Sequence, residues 1–186
     1  MKKSLPIIII SAVLLILLGK GVSTYNRLVA KDEAVNHQWA QVENVLKRRA
    51  DLIPNLVNTV KGYAGHESQV LTDITKARSS VNQAKGPEEQ EKANEELNKA
   101  LGNINVVVEA YPELKADKNF QDLQAELAGT ENRIAVERKR YNDQVSEFNQ
   151  DVRRFPTKLI ASLLGFQEKA YFEISEAESQ VPEVSF

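Results

Sequence analysis

Two short clusters hold the side chains best suited to chemistry. His66-Glu67 sets an imidazole beside a carboxylate, a pairing used for acid-base work or for holding a metal. A helical metal site needs a second histidine at i+4, however, and the only other one, His37, lies far away in sequence, so His66-Glu67 reads as a polar pair at a helix junction. Lys47-Arg48-Arg49 offers three consecutive cations to a phosphate or an acidic partner. Trp39 and a line of aromatic residues near the C-terminus could form a cofactor box, but their spacing of seven is what helix packing requires. No glycine-rich phosphate loop, Ser/His/Asp set or carboxylate pair stands at a catalytic spacing. The expectation is a protein without catalytic, metal or cofactor residues, and not an enzyme.

The elements that would position these residues are helices. Helix formers dominate, aromatics are few, and hydrophobic residues make up 42% of the chain, enough for one core. A net charge of −2 argues against nucleic-acid binding by broad phosphate neutralisation, and the absence of cysteine removes disulfides, thiolate nucleophiles and lipid-modified cysteine. From Tyr25 the positions Leu28, Asp32, Val35, Trp39, Val42, Leu46, Arg49, Ile53, Leu56, Val60 and Tyr63 follow alternating steps of three and four, a heptad seam interrupted by Asp32 and Arg49. On that register Arg49 turns inward and leaves two solvated cations, so anion binding is the minor reading of the basic cluster. Pro54 lies within the seam and predicts a kink, since it removes the bond to the Ala50 carbonyl; Asn55 or Asn58 could bond that oxygen instead.

A second helix carries Val70, Ile74, Ala77, Val81 and Ala84 and stops at Gly86-Pro87. A third runs to Tyr111-Pro112 with Leu97, Leu101, Ile104 and Val108 inward, and Asp117 can cap a fourth whose line is Phe120, Leu127, Ile134, Tyr141, Phe148 and Phe155. Beside that line the seam is polar near Thr130, Glu131 and Arg138. A short amphipathic piece, Lys158 to Leu164, then presents Leu159, Ile160, Leu163 and Leu164, to lie on a membrane interface or to cover an end of the bundle. From Glu173 the tail is acidic and expected to be disordered.

The N-terminus reads as Lys2-Lys3, an apolar run from Leu5 to Leu18 and then Gly19-Lys20-Gly21. About 14 helical residues rise ~21 Å against a hydrocarbon core of ~30 Å, so a span would also use Val22 and snorkelling by Lys20. A cleaved signal peptide is the alternative, but neither Gly19/Gly21 nor Gly21/Ser23 makes a good cleavage site, and a retained anchor is the expectation. Lys2, Lys3 and the amino terminus oppose Lys20, Arg27 and Lys31, which leaves both orientations open with a slight lean to an extracytoplasmic bundle.

Ordered blocks along the chain carry a resemblance. Tyr25-Asn26 with Leu28-Val29, Trp39-Ala40 with Val42-Glu43, and Arg48-Arg49 with Asp51 to Val57, including Pro54-Asn55, are followed by Lys61-Gly62-Tyr63 with His66-Glu67. Then come Glu109-Ala110-Tyr111-Pro112 and Gly129-Thr130-Glu131-Asn132-Arg133-Ile134-Ala135, with Tyr141-Asn142, Phe148-Asn149, Phe155-Pro156 and Gly165-Phe166 after them. In these blocks the chain resembles the LemA family as far as Phe172. The resemblance implies a bacterial protein with an N-terminal transmembrane helix and an up-and-down helical bundle, in a family that includes magnetosome proteins. The expected location is therefore a bacterial inner membrane, crossed once.

Two topologies fit the hydrophobic pattern. If Gly86-Pro87 is only a kink, three long helices form and Arg49 falls near Arg138, which is unfavourable. If it is a turn, four helices alternate in direction and Glu131 lies level with Arg49, pairing opposite charges. The expected fold is all-α: residues 1–24 as anchor, 25–172 as an elongated antiparallel four-helix bundle with a short C-terminal amphipathic helix and an Arg49–Glu131 internal salt bridge, and 173–186 as tail. The expected function is a membrane-tethered scaffold or adaptor contacting the lipid bilayer and a protein partner, with exposed faces that also suit a homo-oligomer. The alternative is a sensory module binding a small anion in a polar pocket near Arg49.

Overall fold

A computed structural model describes residues 5–64 and 67–173, with side chains from residue 9 onward. The elements are α1 (Leu5–Tyr63), α2 (Ser68–Gln83), α3 (Gly86–Gly102), α4 (Ile104–Ala110), α5 (Pro112–Ala116), α6 (Lys118–Arg153) and α7 (Thr157–Leu163). No strand occurs among the described residues. His66 and the tail from residue 174 lie outside them.

The chain divides into two compact units: Met1–Gln38 with Asn142–Lys169, and Trp39–Tyr141 with Ala170–Phe186. In the first, Leu28 and Val35 of α1 are buried with Val145, Phe148 and Val152 of α6 and Ala161 of α7. Residues 9–18 of α1 are all exposed, and the stretch Ile9–Tyr63 is long and apolar enough to cross a membrane. α1 passes residues 24 and 25 without a break.

In the second unit the three-four stripe of α1 buries Val42, Leu46, Arg49, Ile53, Leu56 and Val60, while Tyr63 ends it in solvent. α1 stays helical through Pro54. The Ala50 carbonyl, deprived of its helical donor there, accepts instead from Arg78 Nε of α2 at 2.9 Å, a role for which the sequence offers Asn55 or Asn58 as candidates. α2 buries Leu71, Ile74, Ala77 and Val81, so Leu71 takes the inward place expected of Val70.

The chain turns at Gly86, whose φ of 74° lies in the left-handed region that glycine tolerates. Pro87 stands in the first turn of α3 and three hydrogen bonds secure the turn: Glu89 accepts from the Lys85 backbone N–H at 2.8 Å, and Gln90 Nε2 donates to the Val81 and Ala84 carbonyls. α2 and α3 pack on each other.

The third helix differs from the expectation. It breaks at Asn103 into α3 and α4, after Gly102, which is the weakest helix former in that stretch. A further short helix, α5, follows Tyr111-Pro112 and buries Leu114. Asp117 then caps α6, its Oδ1 accepting from the Phe120 N–H at 2.8 Å. The line Phe120, Leu127, Ile134, Tyr141, Phe148 is buried, but Phe155 is 77% exposed because α6 ends at Arg153 and the helical phase is lost before it.

Candidate functional site

Within the second unit, α1 and α6 run antiparallel in a constant register. Trp39 faces Tyr141 with ring centroids 5.1 Å apart, Arg49 pairs with Glu131, and Tyr63 OH donates to Asp117 Oδ2 at 2.9 Å. Each step up α1 is matched by an equal step down α6.

Arg49 is the centre of a polar cluster in this core. Its side chain is 6% exposed, and Nη1 meets both the Glu131 carboxylate and Asn94 Oδ1, the latter at 2.9 Å, while Nη2 donates to Asn98 Oδ1 at 2.5 Å. α3 thus supplies two amide oxygens one turn apart, both aimed at one guanidinium. Asn94 is buried, and Glu131 keeps 38% of its side chain in solvent while its Oε2, which meets Arg49, is buried. Sequence reading did not single out Asn94 or Asn98. A buried cation facing two asparagines at i and i+4 on a helix that otherwise presents Ala93, Leu97 and Ala100 is the signal that could have found them.

Beside the pair lies a cleft of about 310 Å³, lined by Leu56, Leu101, Ile104, Asn105, Gln124 and Leu127 among others. Its position follows from the break at Asn103, where α3 and α4 part next to α6.

The remaining singled-out residues do not join this cluster. Arg48, Asp51 and Asn55 are exposed on α1, and Asn132 and Arg133 on α6. Pro54, Tyr111 and Glu67 are half-buried and Pro112 is exposed. Trp39 is half-buried and lodges between Tyr141 and Phe172, the latter ring 5.7 Å away and nearly perpendicular. Among the described residues no group of three or more His, Asp or Glu side chains could hold a metal ion.

Segments beyond α7 carry contacts that sequence reading missed. In the second unit Phe172 is buried, Tyr141 OH donates to the Ala170 carbonyl at 2.8 Å, and the Glu173 N–H donates to Glu91 at 3.3 Å. Burial pushes the Tyr141 phenol up to about 12. In the first unit Asn149 clasps the Lys169 backbone at both its N–H and its carbonyl, 2.8 and 2.9 Å. Lys169 Nζ answers Asp32, the acid that interrupts the heptad seam, at 2.8 Å. Buried Asp151 receives Arg27 at 3.3 Å and Lys31 at 3.2 Å, one turn apart on α1.

An all-helical protein with an exposed apolar N-terminal helix and a polar cluster paired within its core belongs to a class of helical proteins with a single candidate membrane span among the described residues. The sequence pattern of the LemA family matches residues 38–186, and the chain belongs to that family. It is 26% identical to Protein LemA of Metamycoplasma hominis over 82% of this chain and 70% of that protein. It is 25% identical to Magnetosome protein MamQ 2 of Paramagnetospirillum magneticum and 24% identical to Magnetosome protein MamQ of Magnetospirillum gryphiswaldense, in both cases over 80% of this chain. The matched part spans 64% of each of these magnetosome proteins.

Proposed function

We propose that this protein is a single-pass, membrane-anchored helical adaptor of a bacterial inner membrane, non-enzymatic, whose helices present polar faces to a protein partner. One observation carries the reading: charged and polar side chains divide into two sets. Arg49 and Glu131 neutralise each other inside, while Arg48, Asp51 and Asn55, spaced to share a face of α1, stand in solvent without serving the core. The exposed apolar segment of α1 supports the anchor, and the opposed flanking charges are compatible with a bundle on the extracytoplasmic side, the orientation to which this reading leans. The test is affinity purification of the detergent-solubilised chain beside a variant carrying Arg48→Ala, Asp51→Ala and Asn55→Ala. A partner recovered reproducibly with the first and lost with the second supports the adaptor. Equal recovery with both, or no partner with either, removes its support.

The cleft beside Arg49 favours a second reading, a module that binds a small ligand. An anion is poorly served there, since Arg49 is already faced by one carboxylate and two amide oxygens. Calorimetric titration with phosphate should show no heat of binding; saturable binding lost in Arg49→Met would restore the anion reading.

A further inference from the structure

In the first unit α7 packs against the rest of that unit through Thr157 and Ala161 and turns its other face outward. Leu159 is 63% exposed, Leu163 86% and Leu164 47%, and Phe155, in the turn before α7, is 77% exposed. Leu159 and Leu163 are one helical turn apart and share a face. Soluble surfaces rarely leave so many large apolar side chains together in water. Arg153, Arg154 and Lys158 are exposed around them.

The location of this patch narrows what covers it. Thr157 Oγ1 accepts from Arg27 Nη2 at 3.3 Å, and Phe166 lies with its ring centroid 6.2 Å from that of Tyr25. Arg27 is roughly 8 Å along the helix axis from Val22, the end of the apolar stretch. α7 is therefore held at the depth where a membrane-crossing α1 would leave the hydrocarbon.

We propose that α7 and the turn before it form a second membrane contact, in which Phe155, Leu159, Leu163 and Leu164 enter the head-group layer of an anionic bilayer beside the anchor. The inference rests on the reading of α1 as that anchor. Apolar side chains rimmed by arginine and lysine are the composition of interfacial segments, in which the apolar face sinks into the acyl boundary and the cations meet lipid phosphates. A second copy of the chain is a weaker fit, because a seven-residue helix offers far less than the ~800 Å² per partner that a stable protein interface buries.

The chain contains no cysteine, so single labels can be placed in the full-length protein. Spin labels at Leu163→Cys, Val13→Cys and Val106→Cys, reconstituted in vesicles of phosphatidylethanolamine and phosphatidylglycerol, report accessibility to oxygen against a water-soluble nickel chelate. Val106 is 74% exposed on α4 and serves as the aqueous reference. The proposal expects the Leu163 label to favour oxygen severalfold over the Val106 label, and to move toward water when Arg154→Glu and Lys158→Glu are added. A Leu163 label as open to nickel as Val106 overturns it. So does spin-spin broadening at Leu163 that disappears on dilution with unlabelled protein, which would assign the patch to a second copy. A depth unchanged by the two charge reversals overturns the anionic character. The Val13 label judges the anchor separately: lipid at Val13 with water at Leu163 leaves the anchor standing and α7 undocked.

Discussion

Arg49 of α1 meets Glu131 of α6 through the same Nη1 that donates to Asn94 of α3, so one guanidinium ties three helices together. The carboxylate oxygen that meets Arg49 is buried, as Asn94 is, although the rest of the Glu131 side chain reaches solvent. This geometry sets the outcome of taking the cluster apart.

Glu131→Leu leaves the nearly buried guanidinium with only amide oxygens and should cost about 2–4 kcal/mol, somewhat under the range for a fully buried pair. Arg49→Met should cost a similar amount, because it orphans the Asn94 oxygen as well as the carboxylate. The double variant should be more stable than either single, yet remain below the unmodified protein until Asn94→Leu is added. Chemical denaturation of the five proteins measures this, and strictly additive single effects would remove the coupling.

Two glycines should respond with opposite sign. Gly86 sits at φ 74°, where a Cβ is strained, so Gly86→Ala should destabilise by about 1–2 kcal/mol. Gly129 lies inside α6 with nothing within 4 Å of an added Cβ, and Gly129→Ala should stabilise by about 0.5–1 kcal/mol. Thermal midpoints of the two variants check the pair; a loss of stability at Gly129 would point to a contact on that face which the isolated chain does not make.

Tyr141 predicts a pH dependence. Its phenol ionises near about 12 when folded against an ordinary value of 10.0, so between these the unfolded chain releases a proton that the folded chain keeps. The associated stability is complete below pH 10 and declines as the pH rises toward 12. Denaturation midpoints followed across that window should fall more steeply in the unmodified protein than in Tyr141→Phe.

The parts of this architecture that were readable in the sequence are those written in local periodicity. The three-four stripe from Leu28 to Val60, with Asp32 and Trp39 half-buried, and the seven-step line from Phe120 to Phe148 turn inward as spaced, because helical geometry alone decides which side chains share a face. Counting equal heights up from Tyr25 and back from Phe155, with Gly86-Pro87 taken as a true turn, likewise brings Arg49 and Glu131 together, since antiparallel helices convert sequence number into height. What escaped was set by partners with no fixed offset in sequence. Arg78 serving the carbonyl freed by Pro54, Asn94 and Asn98 serving Arg49, and the irregular residues after α7 all answer groups far away along the chain. The break at Asn103 escaped for a different reason, a single glycine inside an apolar pattern that continues on both sides. Phe155 misled because its spacing kept the beat after the helix had ended.

The burial of Phe172 beside Trp39 bears on how the chain is made. Helical proteins usually assemble from neighbours in sequence and fold quickly, but Trp39 waits for a ring that leaves the ribosome only after the whole of α6 and α7. Until then the edge of its indole, the chain's only one, lacks the cover that Phe172 gives it. Nascent chains that have not reached residue 172 would leave the Phe172 side of Trp39 uncovered, a surface by which quality control could tell them from chains that have closed it.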